Sequence, residues 1–277
     1  MKRLSFILLL IAVLSLSCQK REERLHTEKT SGLVRELLTK LDSADVYAAR
    51  KEAQIEASKK QIGRGSNYRE NYSALLKVAN QYAHYSLDSS LVYFEKAAQV
   101  AKEAEDEFLI VSTDIRLSTM LTIGGFYMAA AEILNSVPRK ALRGVLRVPY
   151  YNAWMSLYRE VYSSSYEPDA FKKEYNDRYV EYRDSLICVA DTMGVHYLRN
   201  MERKEAKAGN YAEARRYNAI RMANTPDQKS YAYATCLYDR FMISYHYEGK
   251  LKGEDVDDLL QAAIIELEYS NRDINSC

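Results

Sequence analysis

Four side chains in the stretch VHYLRNMERKEAK recur at three- and four-residue intervals: His196, Arg199, Arg203 and Lys207. That spacing sets them along one face of a helix. A guanidinium offers paired N–H donors to a carboxylate, so such a row could grip a carboxylate ligand or an acidic peptide. An ordinary solvated helix face has the same composition, and both readings stand at this point. Nothing comparable exists for catalysis. The chain has no GxSxG, HExxH or phosphate-loop motif, and His26, His84, His196 and His246 have no His or Cys at metal-ligand spacing. Glu254, Asp255, Asp257 and Asp258 form an acidic bunch without the glycine and closing glutamate of a calcium loop. They fall where a helix should begin, where negative charge complements the helix dipole. The expectation is no catalytic residue, no metal ligand and no cofactor.

Aromatic stripes supply a second chemistry. Tyr150, Trp154, Tyr158 and Tyr162 recur every fourth residue, and Tyr175, Tyr179 and Tyr182 follow a similar face. Such rings can line a peptide groove, but in a chain with 24 tyrosines the expectation is inter-helix packing, with Trp154 in the core. The charge is balanced, 39 basic against 38 acidic side chains. No basic domain or charge block points to nucleic acid or another polyanion. With Cys18 set aside, Cys188, Cys236 and Cys277 remain, an odd number without a CxxC pair, so Cys188 and Cys236 read as small core residues.

These side chains must be carried by helices, since all four prolines fall at expected helix breaks and glycine is scarce. Residues 1–17 read as a signal peptide: Lys2-Arg3, an apolar run from Leu4 to Leu16, then Ser17-Cys18. Ser15-Leu16-Ser17-Cys18 resembles a bacterial lipobox, which implies lipidation of Cys18 and anchoring in the cell envelope, in the periplasm or at the outer membrane. Cleavage without lipidation would leave a soluble periplasmic protein. Residues 18–32 are polar and read as a flexible tether. A single helix is expected over 33–62, with Val34, Leu41, Ala48, Ile55 and Ile62 at heptad spacing. Lys51 and Ser58 interrupt its second seam, so its second half should pack weakly. Gly63-Arg64-Gly65-Ser66 is a turn.

Residues 67–277 read as helical hairpins: Tyr68–Tyr85 with Ser89–Ala104, Glu107–Ile123 with Tyr127–Val137, Pro149–Ser163 with Asp169–Ala190, the stretch Val195–Pro226, and Lys229–Tyr247 with Asp255–Tyr269. In Val195–Pro226, Gly209-Asn210 makes the turn, Tyr211 and Ala214 open a new helical face, and Pro226 closes it. Gly125, Tyr127, Ala130 and Leu134 repeat that spacing. The pattern resembles the tetratricopeptide repeat, in which a small Ala lets two helices approach and stacked pairs bury what one pair cannot. The fold class expected is all-α, a right-handed helical-hairpin solenoid of about five degenerate repeats after a long N-terminal helix. The repeat register places His196, Arg199, Arg203 and Lys207 on the concave groove.

The segment RELLTKLDSADVYAARKEAQIEASKKQI, with Leu41-Asp42, Tyr47, Lys51-Glu52, Ile55 and Lys59, resembles the opening of a regulator-like family of envelope tetratricopeptide proteins from Gram-negative anaerobes. That resemblance implies a signal sequence, sensory repeats, a membrane helix and a coiled, DNA-binding tail. This chain ends at Cys277, so it reads as a truncated member or the sensory half alone. Its last helix carries Leu259, Leu260, Ala263, Ile264 and Leu267, a stripe expected to lack a cap and to favour self-association through the C-terminal face. The function expected is an envelope-anchored scaffold that binds a protein or peptide as a sensory input. A glycan-capture lipoprotein beside an outer-membrane transporter is the alternative, against which stands the single tryptophan. A secreted helical enzyme is a third reading, for which no catalytic constellation is present.

Overall fold

The computed structural model describes residues 28–83, 86–164 and 168–269. The signal peptide, Cys18, the first part of the tether, His26, His84 and Cys277 lie outside them. Among the described residues the chain is all-α, without strands. The helices are α1 (Glu28–Asp42), α2 (Ala44–Lys59), α3 (Tyr68–Ala83), α4 (Leu87–Glu103), α5 (Glu107–Gly124), α6 (Tyr127–Ser136), α7 (Arg147–Ser164), α8 (Asp169–Val189), α9 (Val195–Lys207), α10 (Tyr211–Ala223), α11 (Tyr231–Met242) and α12 (Gly253–Tyr269). A π-helical turn, Ile243–Glu248, extends α11. From α3 onward the helices follow one another as five successive hairpins, the expected solenoid pattern.

Local chemistry sets the hairpin ends. Asp106 caps α5 by accepting from the Leu109 N–H at 3.2 Å, and Ser230 caps α11 through the Tyr233 N–H at 3.2 Å. Gly209 takes φ +84, the left-handed backbone its turn requires. Helix α4, expected from Ser89, begins at Leu87, and fully buried Ser90 donates to the Ala79 carbonyl at 3.0 Å, tying α4 to α3.

Two compact units emerge, and their boundaries fall within α2 and α9. One is Val46–Met201. Its largest apolar cluster joins Val111, Ile115, Ala130, Leu134, Val137, Leu146, Ala153, Trp154 and Leu157. Trp154 is 4% exposed and stacks on Tyr182 at 5.3 Å and Tyr158 at 5.7 Å, so this part of the aromatic stripe is packing. Helix α2 buries Lys51, Ile55 and Ser58 on one face. The two residues expected to weaken this helix therefore lie on its buried side. Cys188 also departs from expectation and is exposed on α8, whereas Cys236 is buried.

The other unit joins residues 28–45 to Glu202–Tyr269. Ala214 is fully buried against Ala206 and Ile243, as a small residue at a close helix approach should be. The N-terminal helix differs from expectation. The chain is already helical at residues 28–32, and the continuous helix foreseen over 33–62 is broken at Ser43. There Ser43 bonds back to Lys40 and Thr39, the local competition that makes Asp-Ser a poor helix interior. The break leaves α1 free to follow a different partner. Leu37 packs with Val256, Leu260, Ala263 and Ile264 of α12, flanked by Leu33, Val34, Leu41 and Leu267. Thr30 donates to Asp257 at 2.7 Å, and Lys40 pairs with Glu268. The stripe expected to stand uncovered is thus covered in cis by α1. Each large apolar side chain so buried contributes about 1.5–3 kcal/mol.

Candidate functional site

Within the unit Val46–Met201, the first helices of successive hairpins line one cavity of about 250 Å³. Helix α3 supplies Asn80, α5 supplies Ser112, Arg116 and Thr119, α7 supplies Asn152, and α9 supplies His196. The α5 residues stand four and three positions apart, one face of a helix. Phe94, Ile115, Met120 and Leu146, all buried, form an apolar floor.

The polar side chains of this site are available. Asn80, Ser112, Arg116 and Asn152 make no side-chain hydrogen bond or ion pair within the described chain, while Thr119 donates to the Ile115 carbonyl at 2.9 Å. His196 stands open to water at the rim. The adjoining protein and then the Arg199 charge depress its imidazole below the ordinary histidine value, favouring the neutral ring that both donates and accepts. An asparagine amide presents one acceptor and two donors, the complement of a peptide group. Arg116 adds a paired donor for a carboxylate. The cavity is smaller than the ~300–1,000 Å³ pockets that enclose small molecules.

A larger cavity, about 450 Å³, lies between α4, α5 and α6 and is lined by Glu95, Gln99, Lys102, Asp114, Leu117, Ile133 and Ser136 among others. Three of its lining side chains, Glu95, Lys102 and Asp114, are charged and make no side-chain hydrogen bond or ion pair within the described chain. Gln99 donates to Glu103 at 2.8 Å, and burial raises the Asp114 pKa against the pull of Lys102. Lacking the apolar floor and the unpaired amides, it is the weaker candidate despite its size.

The row His196, Arg199, Arg203 and Lys207 is divided by the unit boundary. His196 and Arg199 fall in one unit, Arg203 and Lys207 in the other. Only His196 lines the cavity. Arg203 is engaged by Asp239 at 3.2 Å, at the edge of a buried charge cluster. There Arg221 bridges Asp239 at 2.7 Å and Glu202 at 3.0 Å, and Asn218 donates to Glu202 at 3.2 Å and to the Cys236 carbonyl at 3.0 Å. Burial pushes the Glu202 carboxyl up to about 7, because one shared guanidinium only partly offsets the lost hydration. Burial opposes the Arg221 charge too, but Asp239 and Glu202 outweigh it and raise its pKa. The acidic bunch on α12 is likewise occupied. Asp255 accepts from Ser244 at 2.8 Å, Asp257 from Thr30, and Asp258 pairs with Arg240 at 2.5 and 2.6 Å.

Asn80, Ser112, Arg116, Thr119 and Asn152 belong to no motif, but the repeat register carries a signal for α5. Setting Gly125 on Gly209 carries His196 onto Ser112, Arg199 onto Ile115 and Arg203 onto Thr119, and all three of those α5 residues line the cavity. No helix among the described residues is long and apolar enough to cross a membrane. Compared with known proteins, residues 41–277 match the family model described as the SusR N-terminal TPR domain. No match was found among curated proteins.

Proposed function

We propose, from the premise that this chain belongs to the SusR N-terminal TPR domain family, that it receives a polypeptide segment in the groove lined by Asn80, Ser112, Arg116, Asn152 and His196. Tetratricopeptide solenoids are protein-interaction scaffolds, and the observation that carries the finer reading is the set of unpaired amides and one unpaired guanidinium above an apolar floor. In this reading Asn80 and Asn152 hold the backbone of an extended ligand, Arg116 takes a carboxylate, and Phe94 and Met120 seat a side chain. Arg199 adds positive charge next to His196 and favours acidic ligands. The chain acts as the sensory input of a regulator, held at the envelope by a lipid on Cys18.

Site-specific photocrosslinking tests the groove. A benzophenone amino acid at Ser112, compared with one at exposed Glu103, should trap an adduct in the producing cell from the first position only. Mass spectrometry should identify that adduct as polypeptide. A non-peptide adduct, or equal capture at both positions, would overturn the assignment.

A further inference from the structure

The connection from α6 to α7 runs PRKALRGVLR. Its apolar residues anchor it: Val137 and Leu146 are buried, and Ala141 and Leu142 pack on the cluster that contains Leu134 and Trp154. Two short 3-10 turns, Arg139–Ala141 and Gly144–Leu146, shape it, and Gly144 opens the second with φ +53. With those residues drawn inward, Arg139, Lys140, Arg143 and Arg147 are all exposed. None of the four has a side-chain hydrogen bond or acidic partner within the described chain. Val145 stands among them, 74% exposed. No acidic residue occurs between Glu132 and Glu160. Arg139-Lys140, Arg143 and Arg147 are spaced by Ala141, Leu142 and Leu146, which the cluster draws inward, so the exposed residues of this stretch are mostly cationic.

We propose that this loop docks on an anionic lipid surface, with the four cations at the phosphate level and Val145 entering the interfacial layer. Charge alone would suit any polyanion. The exposed valine favours a bilayer, where an apolar layer lies just beneath the anionic groups. The chain as a whole is nearly neutral, so attraction rests on local charge, which this loop supplies. The proposal is independent of the groove and of Cys18. It describes a second contact that would hold the domain against the surface wherever its N-terminus is attached.

The test uses the full chain carrying Val145→Trp, with buried Trp154 as a constant background. Vesicles of phosphatidylcholine containing about 30% phosphatidylglycerol, a fraction of the lipid brominated, should blue-shift and quench the introduced indole. Phosphatidylcholine alone should do neither. A lipid anchor inserted by itself would leave the indole unquenched, so the readout is specific to the loop. Each cation near such a surface strengthens partitioning about fivefold, so Lys140→Gln with Arg143→Gln should weaken it about thirtyfold. Vesicle sedimentation of that double variant without Val145→Trp guards against the tryptophan creating its own contact, and should show the same loss. Quenching that is equal on neutral vesicles, or absent on anionic ones, would overturn the proposal. A shift with polyglutamate but not with vesicles would also overturn it and assign the loop to an acidic protein.

Discussion

Glu202 should make the stability of the unit formed by residues 28–45 and Glu202–Tyr269 depend on pH in a direction unusual for a carboxylate. Its side chain is 1% exposed, and it shares the Arg221 guanidinium with Asp239, which also faces Arg203. Burial pushes its pKa up to about 7, against an ordinary value of 4.5. The folded chain therefore holds this proton more tightly than the unfolded chain does. Stability is greatest while Glu202 is protonated in both states, falls as pH rises from the ordinary carboxylate range toward 7, and levels off above that. Integrating the difference in bound protons gives a loss of roughly 2 kcal/mol between about pH 5 and about pH 8. Glu202→Gln keeps the shape and removes the titration. Urea unfolding followed by far-ultraviolet circular dichroism at both pH values should show that the wild type loses roughly 2 kcal/mol more than the variant over this interval. The comparison of slopes holds whatever the substitution does to absolute stability. Equal slopes would mean that Glu202 stays ionised throughout and that Arg221 outweighs its burial.

Three further outcomes follow from the packing and the N-terminal sequence. Leu37→Ala opens a cavity between α1 and α12 and should cost about 2–5 kcal/mol of their docking; hydrogen exchange in α12 should accelerate, and unchanged protection would contradict the cis-cap. Ala214→Phe overpacks the contact with Ala206 and Ile243, with an expected loss of about 1–3 kcal/mol, read by urea unfolding; a neutral result would refute the close helix approach. A palmitate analogue should label the wild type and not Cys18→Ala, and an unlabelled wild type would remove the anchor from the account.

The hairpins were legible because their signals are local. Gly209-Asn210, Ala214 and Pro226 lie within one repeat, and each obeys a backbone or packing rule that needs no distant partner. Of the row on α9, only His196 lines the cavity. The groove as a whole was not legible. Asn80, Arg116 and Asn152 are common polar residues on three helices, and only stacking brings them around one cavity. Separation also hid the α1 cap, since the Thr30–Asp257 hydrogen bond spans 227 positions and no periodicity announces it. Lys51 misled for a related reason: a lysine that interrupts a hydrophobic seam suggests exposure, yet here it is buried beside Ile55. The charged row on α9 misled through Arg203, whose partner Asp239 lies on another helix.

Selection of a displayed library of free peptides, each about ten residues long, on the immobilised chain tests the groove most directly. Enriched sequences should bind in an extended form and carry a carboxylate. Losing one charge-assisted contact should weaken them about tenfold or more on Arg116→Gln, and Asn80→Ala with Asn152→Ala should have a similar effect. Binders indifferent to all three substitutions, or a library that yields none, would contradict the claim that this groove receives a polypeptide.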